Sequence, residues 1–99
     1  VTVTDQQAQQ QREEPEDQAL IERHVAPDPA GRGAAYARLT EAGTPVWALV
    51  AYHQGDAGGD VRLVAEGYGA SAEAVRAALA YYRRHRAEID AWLLLNRAA

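Results

Sequence analysis

Ninety-nine residues without a cysteine make one domain at most, and exclude a disulfide framework and a thiolate metal site. There is no 18-residue apolar run to form a membrane-spanning helix. Nothing at the N-terminus reads as a secretion signal, so the expected location is the cytoplasm. The formal net charge is −4, and all of it lies in residues 1–17, where Asp5, Glu13, Glu14, Glu16 and Asp17 face only Arg12; over the rest of the chain acids and arginines balance.

Residues 1–17 are rich in glutamine and almost free of apolar side chains, so burial cannot offset the entropy of ordering them. They are expected to be a disordered tail, or at most a frayed helix, with a single folded domain over 18–99. A domain that small has a marginal core, which dimerisation would help. "ALIERHVAP" (19–27) alternates loosely and stops at the turn signal Pro27-Asp28-Pro29. "AAYARLT", after Gly31-Arg32-Gly33, supplies an antiparallel partner with Tyr36 and Arg38 on one face, which predicts a short hairpin.

"GTPVWALVAYHQ" predicts the next element, an almost wholly apolar helix with Thr44 as N-cap and Pro45 in its first turn, where a missing N–H costs nothing. "GDAGGD" is a flexible connection, and Asp60 caps a second helix, "VRLVAEGY". Gly69-Ala70 turns the chain. Ser71 caps the third helix, with Glu73 beside its positive end. From Ser71 onward there is neither proline nor glycine, and Val75, Leu79, Tyr82, Arg86, Ile89 and Leu93 recur at heptad-like spacing with one charged interruption. That pattern fits one long helix, or two with a bend near "RRHR". The predicted fold is mainly α: a short N-terminal β-hairpin followed by a homeodomain-like helix-turn-helix bundle of three to four helices.

A helix-turn-helix needs a small residue where its helices cross, a glycine that accepts the left-handed turn, and a branched apolar residue that locks the third helix into the core. Ala65, Gly69 and Val75 stand at that spacing, with Val64, Leu79 and Trp47 as core partners. Reading double-stranded DNA is a separate claim. The early positions of the third helix that would meet base edges are Ser71, Ala72, Glu73, Arg76, Ala77 and Ala80. Only Arg76 among them is a strong reader, and Glu73 repels phosphate. A neutral domain also lacks the basic field of most nucleic-acid binders. Arg83, Arg84 and Arg86 form one basic cluster suited to phosphate contact, or else a solvated helix surface. The candidate DNA-binding set is therefore Ser71, Arg76, Arg83, Arg84 and Arg86.

His24, His53 and His85 are not at ligand spacing to one another and read as structural or surface histidines, so no metal or cofactor is expected. Ser71 is the only serine and is already used as a cap; "GDAGGD" has no lysine and follows no strand, unlike a phosphate loop. The chain is expected not to be an enzyme. "AWLLLNRAA" carries more apolar surface than one core stripe needs. We assign it to a homodimer contact through Ile89, Trp92, Leu93 and Leu95.

From about Leu20 to Asn96 the sequence resembles the small bacterial family catalogued as domain of unknown function 433. The resemblance is carried by "GTPVWALVAY", "VAEGYGASAEAVRAALAYYRRHR" and "EID", most specifically by Tyr81-Tyr82 followed by Ile89-Asp90. It implies a short β-segment leading into a homeodomain-like helix-turn-helix. It also implies a role as the antitoxin of a toxin–antitoxin pair, similar to VapB-type antitoxins, whose partner is a PIN-domain-like ribonuclease encoded next door. The family usually has Gly-Thr-Arg before the first helix, and here Gly43 and Thr44 are followed by Pro45.

Two functions from different classes follow. One is a cytoplasmic antitoxin and autorepressor, dimeric on DNA and holding a toxin with another surface. The other is a non-DNA protein-interaction or dimerisation module, favoured by the neutral domain, the acidic tail and the alanine-rich third helix. A small nuclease-like reading frame beside this one would favour the first.

Overall fold

In the computed structural model, which describes residues 15–98, the first element is a helix, α1 (15–24). This corrects the strand expected from Ala19 onward. Leu20, Ile21 and His24 fall on one helical face, Leu20 and Ile21 pack against the core, and Gln18 donates to Glu22 one turn on at 2.8 Å. Most of the segment expected to be a disordered tail, residues 1–14, lies outside the described residues, and 15–17 already belong to α1.

The hairpin is present but minimal. β1 (Val25–Ala26) pairs antiparallel with β2 (Arg38–Leu39), Val25 opposite Leu39 and Ala26 opposite Arg38. Tyr36, expected on the strand beside Arg38, lies instead in a 3-10 turn, Ala34–Tyr36. Asp28 organises the connection. Its carboxylate accepts from the Arg32 side chain at 2.7 and 3.1 Å, from Arg32 N at 2.9 Å and from Ala30 N at 3.3 Å. The Arg32 guanidinium, with these backbone N–H groups, holds the Asp28 carboxyl well below the usual carboxylate range.

α2 spans Val46–Gln54, and its N-cap is Pro45, not Thr44. Thr44 is committed to the hairpin, where its carbonyl accepts from Leu39 N at 2.8 Å. Pro45 bridges to Arg38, and Val46 N reaches Ala37 O at 2.9 Å. Where the resemblance leads one to expect arginine, the chain thus has an extended proline joining sheet to helix. Asp60 caps α3 (Val61–Tyr68) through Arg62 N at 2.9 Å. Gly69 then turns the chain at φ 63°, a left-handed conformation that glycine takes without steric cost. Ser71 Oγ accepts from Ala74 N at 3.0 Å to start α4 (Ala72–Arg84). A break at His85 separates α4 from α5 (Arg86–Ala98), so the long C-terminal pattern resolves into two helices.

The protein is mainly helical, with five α-helices and one short two-stranded antiparallel sheet among the described residues. Val46, Leu49, Val50, Val64, Val75 and Ile89 are fully buried where α2 to α5 meet, and Leu39 closes the core from the sheet. Burying each such side chain is worth about 1.5–3 kcal/mol. α5 is tied to the rest by Glu88, whose carboxylate accepts from Ala34 N; a Cβ at Gly33 would lie 2.8 Å from that carboxylate. No helix among the described residues is long and apolar enough to cross a membrane.

Candidate functional site

α4 is the element to which most of the candidate DNA-binding residues belong, and its surroundings decide what they can do. Val75 and Ala78 face the core, where α4 packs on α2 and α3. A second stripe, Glu73, Ala77, Ala80 and Arg84, recurs at spacings that keep one helix face in line. Glu73 accepts from His24 Nε2 at 2.8 Å and pairs with Arg23 at 3.2 Å, both at the end of α1. At the other end, Arg84 donates to Gln18, and Arg83 pairs with Asp17 at 3.2 Å. α1 therefore runs antiparallel along α4, with the buried Ala77 and Ala80 between its two anchors.

This arrangement corrects the expected reading face. Ala77 and Ala80 were expected at base edges, and both are fully buried. Lying between the two anchors of α1, they offer no side chain to a base edge. Glu73 is engaged, and its carboxyl is lowered below its ordinary value, chiefly by the hydrogen bond from His24, with the Arg23 charge adding and partial burial opposing.

What remains open is a narrower stripe. Arg76 is exposed, Leu79 half-buried, and Arg83 exposed beyond its single contact with Asp17. Ser71 is exposed, but its hydroxyl is the helix cap and its backbone N–H donates to Glu41 at 2.7 Å. Arg86, at the start of α5, lies over the Tyr82 ring at 5.4 Å. Tyr82 in turn donates to Asp90 at 2.6 Å and accepts from Gln54 at 3.1 Å, joining α2, α4 and α5. Arg76 and Arg83, two turns apart on α4, and Arg86 at the start of α5 are thus exposed, whereas Arg84 donates to Gln18 of α1.

Of the four residues expected to seal a dimer, Ile89 and Leu93 are buried in the core of the single chain. Trp92 is half-buried, edge-on to Tyr36 at 4.8 Å and 6.2 Å from Trp47. Leu95 alone of the four is open, at 70% exposure, beside Leu94 at 69%. Leu94 was missed as an open residue, and its place outside the Val75-to-Leu93 seam was the sequence signal that could have found it. The histidines also separate: His24 binds Glu73, His85 lies tilted against Tyr81 with ring centroids 4.4 Å apart, and His53 lines a groove beside Arg83 and Arg86.

Comparison with known proteins finds no matching family model, curated protein or solved structure.

Proposed function

We propose that the chain is an antitoxin-type regulator: a homeodomain-like helix-turn-helix, α3–Gly69–α4, that binds double-stranded DNA as a homodimer and also holds a PIN-like ribonuclease toxin. One observation carries this reading. Arg76 stands exposed one turn into a capped helix that follows a left-handed glycine turn, with Arg83 two turns further along. Arginine at that place suits bidentate contact with guanine, and arginines further along suit phosphates. The resemblance to domain of unknown function 433 supplies the antitoxin role and the nature of the toxin.

A specific observation also favours the second reading, a protein-interaction module without DNA. The face of α4 beside Arg76 is fastened to α1 by Glu73, Arg83 and Arg84. The two readings combine if α1 is a cover that leaves α4 when a partner takes it, since exposed pairs of this kind are each worth only about 0–1 kcal/mol. The antitoxin reading is tested by affinity capture from the native host with the full chain as bait. It expects a small PIN-like nuclease encoded beside this gene, and growth arrest by that nuclease relieved by this protein. Recovery of unrelated partners, with no rescue, would leave the interaction module.

A further inference from the structure

Between the end of α2, the middle of α4 and the start of α5 lies a groove of about 240 Å³. Its floor is apolar, formed by Val50 and Leu79, and its rim carries His53, Arg83 and Arg86, with Gln54 and no carboxylate among the lining residues. The three basic side chains come from three different helices: Arg83 and Arg86 are close in sequence, across the break at His85, and the fold brings His53 to them. Arg86 makes no ion pair among the described residues and is steadied by the Tyr82 ring beneath it. Tyr82 is itself fixed by Gln54 and Asp90. A cationic rim held by such a network is organised before any ligand arrives, which lowers the cost of binding.

We propose that this groove is a binding site for a phosphoryl group, held by Arg83 and Arg86 with His53 as the third donor. Guanidinium groups match the oxygens of phosphate in paired N–H contacts, and the volume admits a compact polyoxyanion. An independent observation points to the same class of ligand. The carboxylate of Asp17, on α1, reaches Arg83 at 3.2 Å, so this guanidinium already holds an anion from within the chain. That contact is singly hydrogen-bonded and solvent-exposed, and a better anion displaces it. Phosphate in the groove therefore also loosens the start of α1. The group comes either from a nucleic-acid backbone or from a small phosphomonoester. The proposal rests on the DNA reading above only for the first of these.

The test is titration of the full chain with inorganic phosphate at constant ionic strength, following the His53 ring and arginine side-chain N–H resonances. It is repeated with adenosine monophosphate and with a short DNA duplex. Saturable shifts are expected at His53, Arg83 and Arg86. Arg86→Ala should weaken phosphate binding about tenfold, the usual worth of one charge-assisted hydrogen bond. Asp17→Asn should tighten it, because it frees Arg83, and by more than Asp56→Asn, which removes the same charge without a contact to Arg83. Circular dichroism confirms that these variants are folded. Phosphate binding with no response of these resonances to duplex assigns the site to small phosphoesters and leaves DNA contact to Arg76 alone; response to both assigns it to the nucleic-acid backbone. Shifts that never saturate, or that are the same in wild type, Arg86→Ala and Asp17→Asn, overturn the site.

Discussion

Glu73, in the first turn of α4, accepts a hydrogen bond from His24 Nε2 at 2.8 Å, and with this contact the end of α1 is fastened over the helix that follows the glycine turn. The bond does two things at once. It places an acid at the positive end of α4, where it is favourable, and it commits that acid, still 43% exposed, to α1. The helix most suited to reading DNA is in this way partly occupied by its own chain.

The Glu73 contact makes α1 sensitive to acid. Because the carboxyl of Glu73 is lowered in the folded protein, its contribution is fully present above the unfolded value of about 4.3 and is lost as pH falls through the folded value. Glu73→Gln should therefore be less stable than wild type in urea at pH 7. The difference should vanish below the folded value of Glu73. A gap that stays constant across that range would mean the ionised pair contributes nothing.

The burial of Ala80 predicts the outcome of a size change. Ala80→Leu adds volume where α4 meets its covering helix, and overpacking of this kind costs about 1–3 kcal/mol. The strain should be relieved by releasing α1. Amide exchange over residues 19–24 should then lose its protection while α2 and α3 keep theirs. Uniform loss of protection would instead place Ala80 in the central core, with no separable cover.

The C-terminal helix separates folding from association. Leu93, at 5% exposure, belongs to the core, and Leu93→Ala should cost about 2–5 kcal/mol. Leu94 and Leu95 are open, so changing both to Glu should alter the stability of the single chain by only about 0.5 kcal/mol. If a homodimer forms through this face, the double change yields a folded monomer by light scattering. A dimer unaffected by it uses another surface.

Local rules made much of this fold legible. Asp60, Gly69 and Ser71 are fixed by contacts within a few residues, and each plays the part its sequence position suggests. The apolar spacing also marks Val75, Ile89 and Leu93 as buried, since periodicity reports that a face is covered. It does not report what covers it. Ile89 and Leu93 face α2 and the hairpin region of the same chain, which the spacing alone could not distinguish from a second copy. Ala77 and Ala80 look like an empty reading face because alanine is equally at home exposed or beneath a closely packed helix. α1 itself was hidden because its few apolar residues alternate as loosely as a strand, and its anchors lie 49 to 66 residues away at Glu73, Arg83 and Arg84. Thr44 is a good cap by type, but the hairpin takes its carbonyl first.

In the proposed reading, α4 binds DNA and α1 restrains it. The most direct measurement is equilibrium binding to a duplex from the gene's own upstream region, against a scrambled duplex, at one fixed salt concentration. Arg76→Ala should weaken binding to the upstream duplex by about 1–3 kcal/mol and relax specificity at one base position. Combining Asp17→Asn with Glu73→Gln, which loosens both ends of α1, should tighten binding to the upstream duplex more than to the scrambled one. No binding by wild type or by the loosened variant, or equal tightening on both duplexes, would contradict the claim and leave α3 and α4 as an interaction scaffold.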